Sequence, residues 1–147
     1  MSIYNNKNIL VTGGSGVIGK ELIKQLIHQG ARVRNIDFTP QPKQLTDLGV
    51  EQIQVDLSNP SSQLLFRFEP EYVFHLAADF ERSTETKNFW DSNWKNNVLA
   101  SRYLLEKVIK YNSLKKIIFA SSYLIYNKEL YSNPTTPQQL SELMWFS

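Results

Sequence analysis

The chain has 147 residues, a length that suits one domain with a hydrophobic core of its own. Its formal net charge is only +2 and it has no cysteine, which argues against a nucleic-acid-binding surface, a disulfide framework and a thiolate metal site. No apolar run approaches the roughly 20 residues of a membrane span, and residues 1–8 lack an apolar signal core. We therefore expect a cytoplasmic protein that binds neither nucleic acid nor membranes and holds no metal.

Strand and helix patterns alternate along the chain. Strands are predicted near 7–12, 31–37, 51–55, 71–76 and 115–120, and helices near 17–29, 61–67 and 88–111, with a weaker helix or turn near 43–48. The run at 72–77 is continuously apolar, as expected for a strand covered on both faces. This alternation predicts an α/β fold: a three-layer, doubly wound parallel sheet of the Rossmann type with strand order 3-2-1-4-5.

Two local signals refine the helices. Gly30 follows the first predicted helix at a position that favours a left-handed cap residue. The long helix near 88–111 carries a stripe at spacings of three and four that we predict to be buried. The stripe consists of Trp94, Asn97, Val98, Ser101, Leu104, Leu105 and Val108.

The most informative stretch covers residues 8–20 and reads NILVTGGSGVIGK. A strand, a glycine-rich turn and a helix N-terminus occur there in that order. The spacing satisfies both G-x-G-x-x-G, from Gly14 to Gly19, and T-G-x-x-G-x-x-G, from Thr12 to Gly19. The helix N-terminus presents unpaired N–H groups that attract phosphate, and glycines let the backbone approach a pyrophosphate closely. The turn indicates a dinucleotide site; a tight connection without a ligand is the alternative.

An acidic residue lies at the distance that such a site requires. Asp37 ends the second apolar run, 18 residues after Gly19. An acid about 20 residues after the glycines is expected to bind a ribose 2′-hydroxyl, and its charge repels a 2′-phosphate. We therefore expect NAD rather than NADP. Arg32 and Arg34 lie close by in sequence, and either would soften that preference if it faced the ligand.

Further motifs follow in a fixed order. They are VTGGSGVIGKEL at 11–22, Asp37, Asp56-Leu57, HLAA at 75–78, NNVLASRYLLE at 96–106 and IIFASSYLIY at 117–126. With these motifs the chain resembles the extended branch of the short-chain dehydrogenase/reductase superfamily. Within that branch it is most similar to the NAD-dependent epimerase/dehydratase family, which acts on nucleotide sugars.

The resemblance implies a set of site residues. Asp56 and Leu57 would contact adenine, and Asn97 would organise the active site. Ser122 would be catalytic, hydrogen-bonded to the sugar and helping a tyrosine. The implied cofactor-binding residues are Gly13, Gly16, Val17, Ile18, Gly19, Asp37, Asp56, Leu57, Leu76, Ala77, Ala78 and Asn97.

Several of these matches have structural alternatives. Asp56 would equally serve as a cap for the following helix. His75 is more consistent with a structural role at the end of a strand, bonded to backbone, than with catalysis. Asn97 on an apolar helix face requires partners inside the protein.

The family's Tyr-x-x-x-Lys pair is not found where the resemblance requires it, after Ser122. Tyr103…Lys107 and Tyr111…Lys115 have the spacing, but both come before Ser122, so we interpret them as chance matches.

We therefore expect a single NAD-binding domain over residues 1–147. It would be an inactive part of a longer enzyme, without the catalytic helix and the substrate lobe, and able to self-associate through uncovered edges. The alternatives are a non-catalytic NAD(H)-binding or scaffold protein and a reductase acting on a non-sugar carbonyl.

Overall fold

The computed structural model describes residues 2–59, 67–79 and 87–121; for residues 87–89 it describes the backbone alone. Five strands fall within one residue of the predicted bounds at either end. They are β1 (Asn8–Thr12), β2 (Arg32–Asp37), β3 (Glu51–Gln54), β4 (Tyr72–His75) and β5 (Lys116–Phe119). The helices are α1 (Val17–His28), α2 (Lys43–Asp47), α3 (Lys87–Asn93) and α4 (Ala100–Val108). Apart from Arg67, the helix predicted near 61–67 lies outside the described residues.

The strands form one parallel sheet in the order β3-β2-β1-β4-β5, which confirms the predicted topology. In this order β1 is central, and Thr12 at its end aligns with Ile36 on one side and with His75 on the other. The carboxyl ends of β1, β2 and β4 therefore lie together at one edge of the sheet. Ligands bind at this edge in open α/β sheets.

Helices cover the described sheet on both faces, as predicted. One core lies between the sheet and α1 and α2, and the other between the sheet and α4. The first consists of Ile9, Val11, Ile23, Leu26, Ala31, Val33, Leu45 and Val50. The second consists of Leu10, Ile36, Leu57, Phe68, Val73, Ala100, Leu104 and Val108. Successive β1 residues belong to opposite cores because side chains alternate along a strand.

The predicted long helix contains a π-helical stretch, Trp94–Leu99, between α3 and α4. The buried stripe holds after this stretch, where Leu104 and Val108 are fully buried. The prediction is wrong within the π-helical stretch itself, because Trp94 is 59% exposed and Val98 is 45% exposed. A π-helix hydrogen-bonds to the fifth residue along instead of the fourth. Its wider turn shifts the angular positions of residues 94–99, so a pattern read at α-helical spacing misplaces them.

Two absences apply to the described ranges alone. No helix there is long and apolar enough to cross a membrane. Nor do three or more histidine, aspartate or glutamate side chains gather there in a way that would hold a metal ion.

Gly30 has a φ of 83°, which confirms the left-handed cap predicted after α1.

Two valines on the same helical segment test the register shift. We expect Val108→Ala to lower the free energy of unfolding by about 2 kcal/mol, because its side chain is fully buried. Val98→Ala, the matched control, should cost about 0.5 kcal/mol or less, since its side chain is already largely hydrated. Urea unfolding measures both, and equal costs would contradict the π-helical register.

Candidate functional site

A cavity of about 630 Å³ opens at the carboxyl edge of the sheet, within the size range of small-molecule sites. The glycine-rich turn, the ends of β2, β3 and β4, and the π-helical stretch form its walls. The lining residues are Gly13, Ser15, Gly16, Ile36, Asp37, Phe38, Thr39, Val55, Asp56, Leu57, Leu76, Ala77, Ala78, Asp79, Asn96 and Ala100.

Glycine is required in the turn because backbones approach each other closely there. Gly13 has a φ of 72°, and a Cβ on it would lie 2.7 Å from the backbone nitrogen of Ala77. A Cβ on Gly19 would overlap the carbonyl oxygen of Gly13 and lie 2.6 Å from the Cα of Gly14. The first contact joins the turn to the end of β4, and the second seats α1 on the turn.

Side chains at the end of β2 hold the turn in place. The Gly14 N–H donates to Oδ1 of Asn35 over 3.1 Å, and the Ser15 N–H donates to Oδ2 of Asp37 over 2.9 Å. Asn35 is fully buried, and Asp37 is only 8% exposed. The Thr39 N–H donates to the other oxygen of Asp37 over 2.9 Å. The carboxylate of Asp37 thus lies in the cavity wall with a fixed orientation.

The N-terminus of α1 is open toward an anion. Its cap residue is Gly16, no side chain caps it, and its first turn holds no acidic residue. The nearest atom to a Cβ on Gly16 would be the Gly13 carbonyl oxygen at 3.3 Å, so the space beside Gly16 is largely open. The first N–H groups of a helix have no acceptor within it, and the helix dipole adds positive potential there.

Not all predicted residues of this turn line the cavity. Gly13 and Gly16 line it, whereas Val17, Ile18 and Gly19 do not. The side chains of Val17 and Ile18 are 83% and 74% exposed. They do not belong to the buried face of α1, which consists of Gly19, Ile23 and Leu26.

Asp56 lies across the cavity from the turn, after β3. One of its oxygens, Oδ1, accepts hydrogen bonds from the N–H and the hydroxyl of Ser58, over 2.8 and 2.7 Å. The other, Oδ2, is 3.9 Å from Nζ of Lys95. The Ser58 hydroxyl bond lowers the pKa of Asp56, with Lys95 contributing. The helix predicted near 61–67, which Asp56 would cap in the alternative interpretation, falls outside the described residues except for Arg67.

Neither arginine of β2 lies beside the cavity. Arg34 is buried and forms an ion pair with Glu51, with 2.8 Å between Nη2 and Oε2. Its guanidinium also lies 4.4 Å from the ring centroid of Phe68. Arg32 begins β2 and is about 16 Å from the carboxyl edge at the usual rise per residue. Neither lines the cavity beside Asp37.

A chain of hydrogen bonds links β4 to β1 on one side and to α4 on the other. The Thr12 hydroxyl lies 2.6 Å from Nδ1 of His75, and Nε2 of His75 lies 2.8 Å from the Ser101 hydroxyl. That hydroxyl donates to the carbonyl of Asn97, so it must accept from Nε2–H. Thr12 then donates to Nδ1 and accepts from the Ala77 N–H over 3.2 Å. Every proton in the chain has one assigned acceptor.

These bonds make His75 a structural residue, but not in the way predicted. Its two ring nitrogens bond to side-chain hydroxyls rather than to backbone. It is 2% exposed, and burial lowers its pKa to about 4. His75 is therefore neutral near pH 7, in the Nε2–H form.

Asn97 and its helical neighbours hold Asp79, which follows β4. The Asn97 amide accepts from the Asp79 N–H over 2.7 Å and donates to the Asp79 carbonyl over 3.0 Å. Asn97 also donates to Oδ1 of Asn93 over 2.7 Å. The prediction that Asn97 needs internal partners is thus confirmed, although Asn97 itself does not line the cavity.

The tyrosine–lysine matches are far from this geometry. Lys115 donates to Glu71 over 2.7 Å, and Glu71 directly precedes β4, at the opposite edge of the sheet. Neither Tyr103 nor Tyr111 lines the cavity. Ser122, the predicted catalytic serine, lies outside the described residues.

Sequence reasoning missed several lining residues. Phe38 is 74% exposed, although it follows the buried Asp37 directly. Its position directly after Asp37 was a usable signal. Asp79 gave no signal, because its contacts with Ser92 and Asn96 depend on the path of the helical segment above the sheet. Asn96 lies within the motif at 96–106, but only Asn97 of that motif was predicted to belong to the site. The others missed are Ser15, Ile36, Thr39, Val55 and Ala100.

The sequence matches a family model over residues 9–142, which is most of the chain. The model is that of the NAD dependent epimerase/dehydratase family. The chain belongs to this family. Its membership confirms the resemblance inferred from the six motifs.

Individual members of the family match at moderate identity. D-erythronate dehydrogenase from Cupriavidus necator is 30% identical over 136 residues, covering 84% of this chain and 41% of that protein. A putative UDP-glucose 4-epimerase from Methanocaldococcus jannaschii is 31% identical over 146 residues, covering 91% of this chain and 47% of that protein. The chain thus spans less than half the length of either relative.

A solved family structure shares the architecture. MoeE5 in complex with UDP-glucuronic acid and NAD superposes with a TM-score of 0.67 and 30% sequence identity. The superposition covers 81% of this chain and 38% of MoeE5.

The buried histidine predicts a pH dependence of stability. In the unfolded chain His75 titrates near pH 6.5, while in the folded chain it stays neutral down to about pH 4. The unfolded state binds the extra proton between these values, so stability falls as the pH drops from about 6.5 to 4, by up to about 3 kcal/mol. Urea unfolding at pH 7, 6, 5 and 4 measures this loss.

Two variants isolate the contribution of His75. His75→Gln should flatten the profile over this range. His28→Gln, which changes the other histidine, at the exposed end of α1, should keep the wild-type slope. A His75→Gln profile as steep as that of the wild type would rule out His75 as the source.

Proposed function

We propose that this chain is the nicotinamide-dinucleotide-binding part of an oxidoreductase of the NAD-dependent epimerase/dehydratase family that acts on a nucleotide sugar. One observation carries the proposal: Gly16, the cap residue at the N-terminus of α1, and the buried carboxylate of Asp37 border the same cavity. We call the N-terminus of α1 at Gly16 the anion seat. An anion seat beside a fixed hydrogen-bond acceptor suits a pyrophosphate with its adjoining ribose.

The residues present fit the cofactor. Gly13 and Gly16 leave room for the pyrophosphate over the α1 N-terminus, where N–H groups would bind it. Asp37 would accept from the adenosine ribose. Oδ1 of Asp56 is occupied by Ser58, and Oδ2, which lies 3.9 Å from Nζ of Lys95, would accept from the adenine amino group. The bound dinucleotide supplies the hydride acceptor; the chain binds and orients it.

Asp37 is proposed to select NAD over NADP. A 2′-phosphate would meet a carboxylate held by two backbone N–H groups. No lysine or arginine lines the described cavity to neutralise it. Arg34, the nearer β2 arginine, is already paired with Glu51.

The substrate class rests on relatives. MoeE5 was solved with UDP-glucuronic acid and NAD, and the Methanocaldococcus jannaschii relative is a putative UDP-glucose 4-epimerase. We propose a nucleotide sugar for the longer protein, with Ser122 hydrogen-bonding the reacting hydroxyl. The D-erythronate dehydrogenase from Cupriavidus necator favours a second candidate, oxidation of a sugar acid.

Cofactor choice is tested by calorimetric titration of the chain with NAD and NADP. We expect NAD to bind at least tenfold more tightly, and Asp37→Ala to narrow that ratio, because the repelling charge is gone. Asp47→Ala is the matched control: it removes an exposed carboxylate at the end of α2, and it should keep the ratio. Tighter binding of NADP to the wild type would overturn the role of Asp37.

We also expect no turnover by this chain alone, because no Tyr-x-x-x-Lys pair follows Ser122 in it. Incubation with NAD and UDP-galactose, followed by chromatography of the nucleotide sugars, should show no UDP-glucose above background. Turnover above background would contradict the proposed need for that pair.

A further inference from the structure

Asp79 follows β4 in a loop, and several side chains of the helical segment hold it in place. Its Oδ2 accepts from the Ser92 hydroxyl over 2.7 Å and from the Asn96 amide over 2.8 Å. Its backbone N–H and carbonyl are both bonded to the Asn97 amide, which Asn93 anchors in turn. Four polar residues of the helical segment thus fix the position of one carboxylate, at the wall of the cavity.

This carboxylate retains an open acceptor. Both donors from the helix bond to Oδ2, and within the described ranges no hydrogen bond reaches Oδ1. The hydrogen bonds from Ser92 and Asn96 lower the pKa of Asp79, so it is ionised at neutral pH. An ionised oxygen with free lone pairs repels a phosphate and attracts a neutral donor such as a hydroxyl.

The strand order separates the ends of the two strands from which Asp37 and Asp79 reach the cavity. β1 and the open N-terminus of α1 lie between β2, which carries Asp37, and β4, which Asp79 follows. Adjacent strands are about 4.8 Å apart, so the ends of β2 and β4 are about 10 Å apart, with the anion seat between them. The cavity therefore presents acceptor, anion seat and acceptor in sequence. A dinucleotide presents ribose, pyrophosphate and ribose in the same sequence.

We propose that Asp79 accepts a hydrogen bond, through Oδ1, from a hydroxyl of the second ribose, the one on the nicotinamide side. This inference rests on the proposed function and adds a residue that holds the far half of the cofactor. Ser92 and Asn96 act as positioning residues, because they keep Oδ2 occupied and leave Oδ1 for the ligand. Asp79 thereby distinguishes a dinucleotide from a mononucleotide diphosphate.

The test compares ADP, which lacks the second ribose, with ADP-ribose, which has it. Calorimetric titration of the wild-type chain should show tighter binding of ADP-ribose. Asp79→Ala should raise the Kd for ADP-ribose and for NAD about tenfold, because one charge-assisted hydrogen bond is lost. The Kd for ADP should change less than about twofold. Unchanged ADP binding also shows that the cavity of the variant is folded.

Two further variants sharpen the comparison. Asp79→Asn keeps the size of the side chain and removes its charge. It should raise the Kd for ADP-ribose about threefold, which is less than the increase expected for Asp79→Ala. Asp91→Ala is the matched control, because it removes an exposed carboxylate from α3 outside the cavity lining. It should leave the binding of ADP and ADP-ribose unchanged.

Different binding results would overturn the role of Asp79 and the proposed function. If ADP-ribose and NAD bind the wild type but Asp79→Ala binds them equally well, the role of Asp79 is wrong and the proposed function stands. The same holds if Asp79→Ala weakens ADP and ADP-ribose to the same extent, since Asp79 then acts on the whole fold or on the adenosine half. If neither ADP-ribose nor NAD binds the wild type, both proposals are overturned.

Discussion

The site depends on the close approach of two backbone segments, Gly13 after β1 and Ala77 after β4. An ideal Cβ at residue 13 would lie 2.7 Å from the nitrogen of Ala77, closer than real Cβ contacts allow. The missing side chain therefore lets the glycine turn rest directly on the end of β4. Because β1 and β4 are parallel and in register, this approach also sets where α1 begins relative to the cavity floor. A larger residue would separate the anion seat from the wall formed by β4.

A chain of hydrogen bonds joins the contact between Gly13 and Ala77 to α4. The Thr12 hydroxyl accepts from Ala77 and donates to His75, which donates to Ser101 on α4. A buried neutral imidazole suits this role, since it is a donor at one nitrogen and an acceptor at the other. Its protonation would place two hydrogens between His75 and Thr12. We therefore expect the hydrogen bonds that order β4 against α4 to be the source of the predicted loss of stability in acid.

The sheet and half of the site follow from patterns in the chain. Apolar runs between turn signals identify all five strands, and alternating elements imply the strand order. Asp37 was predictable because its distance from Gly19 matches the length of one helix and one strand. The prediction that Trp94 and Val98 are buried was wrong because the pattern assumed 3.6 residues per turn, whereas the π-helical stretch has a wider turn. Local sequence carried no sign of that change.

The sequence by itself determined the order of strands and helices, the glycine turn and its acid, since these depend on residues close together in the chain. It also determined the family, because six motifs occur in the family's order. Only the tertiary structure decided which polar groups meet across the cavity. Arg34 pairs with Glu51 and turns away from the ligand side, and Asp79 meets Ser92 and Asn96. The physical reason is distance: such contacts join separate elements, and their geometry depends on how helices pack on the sheet.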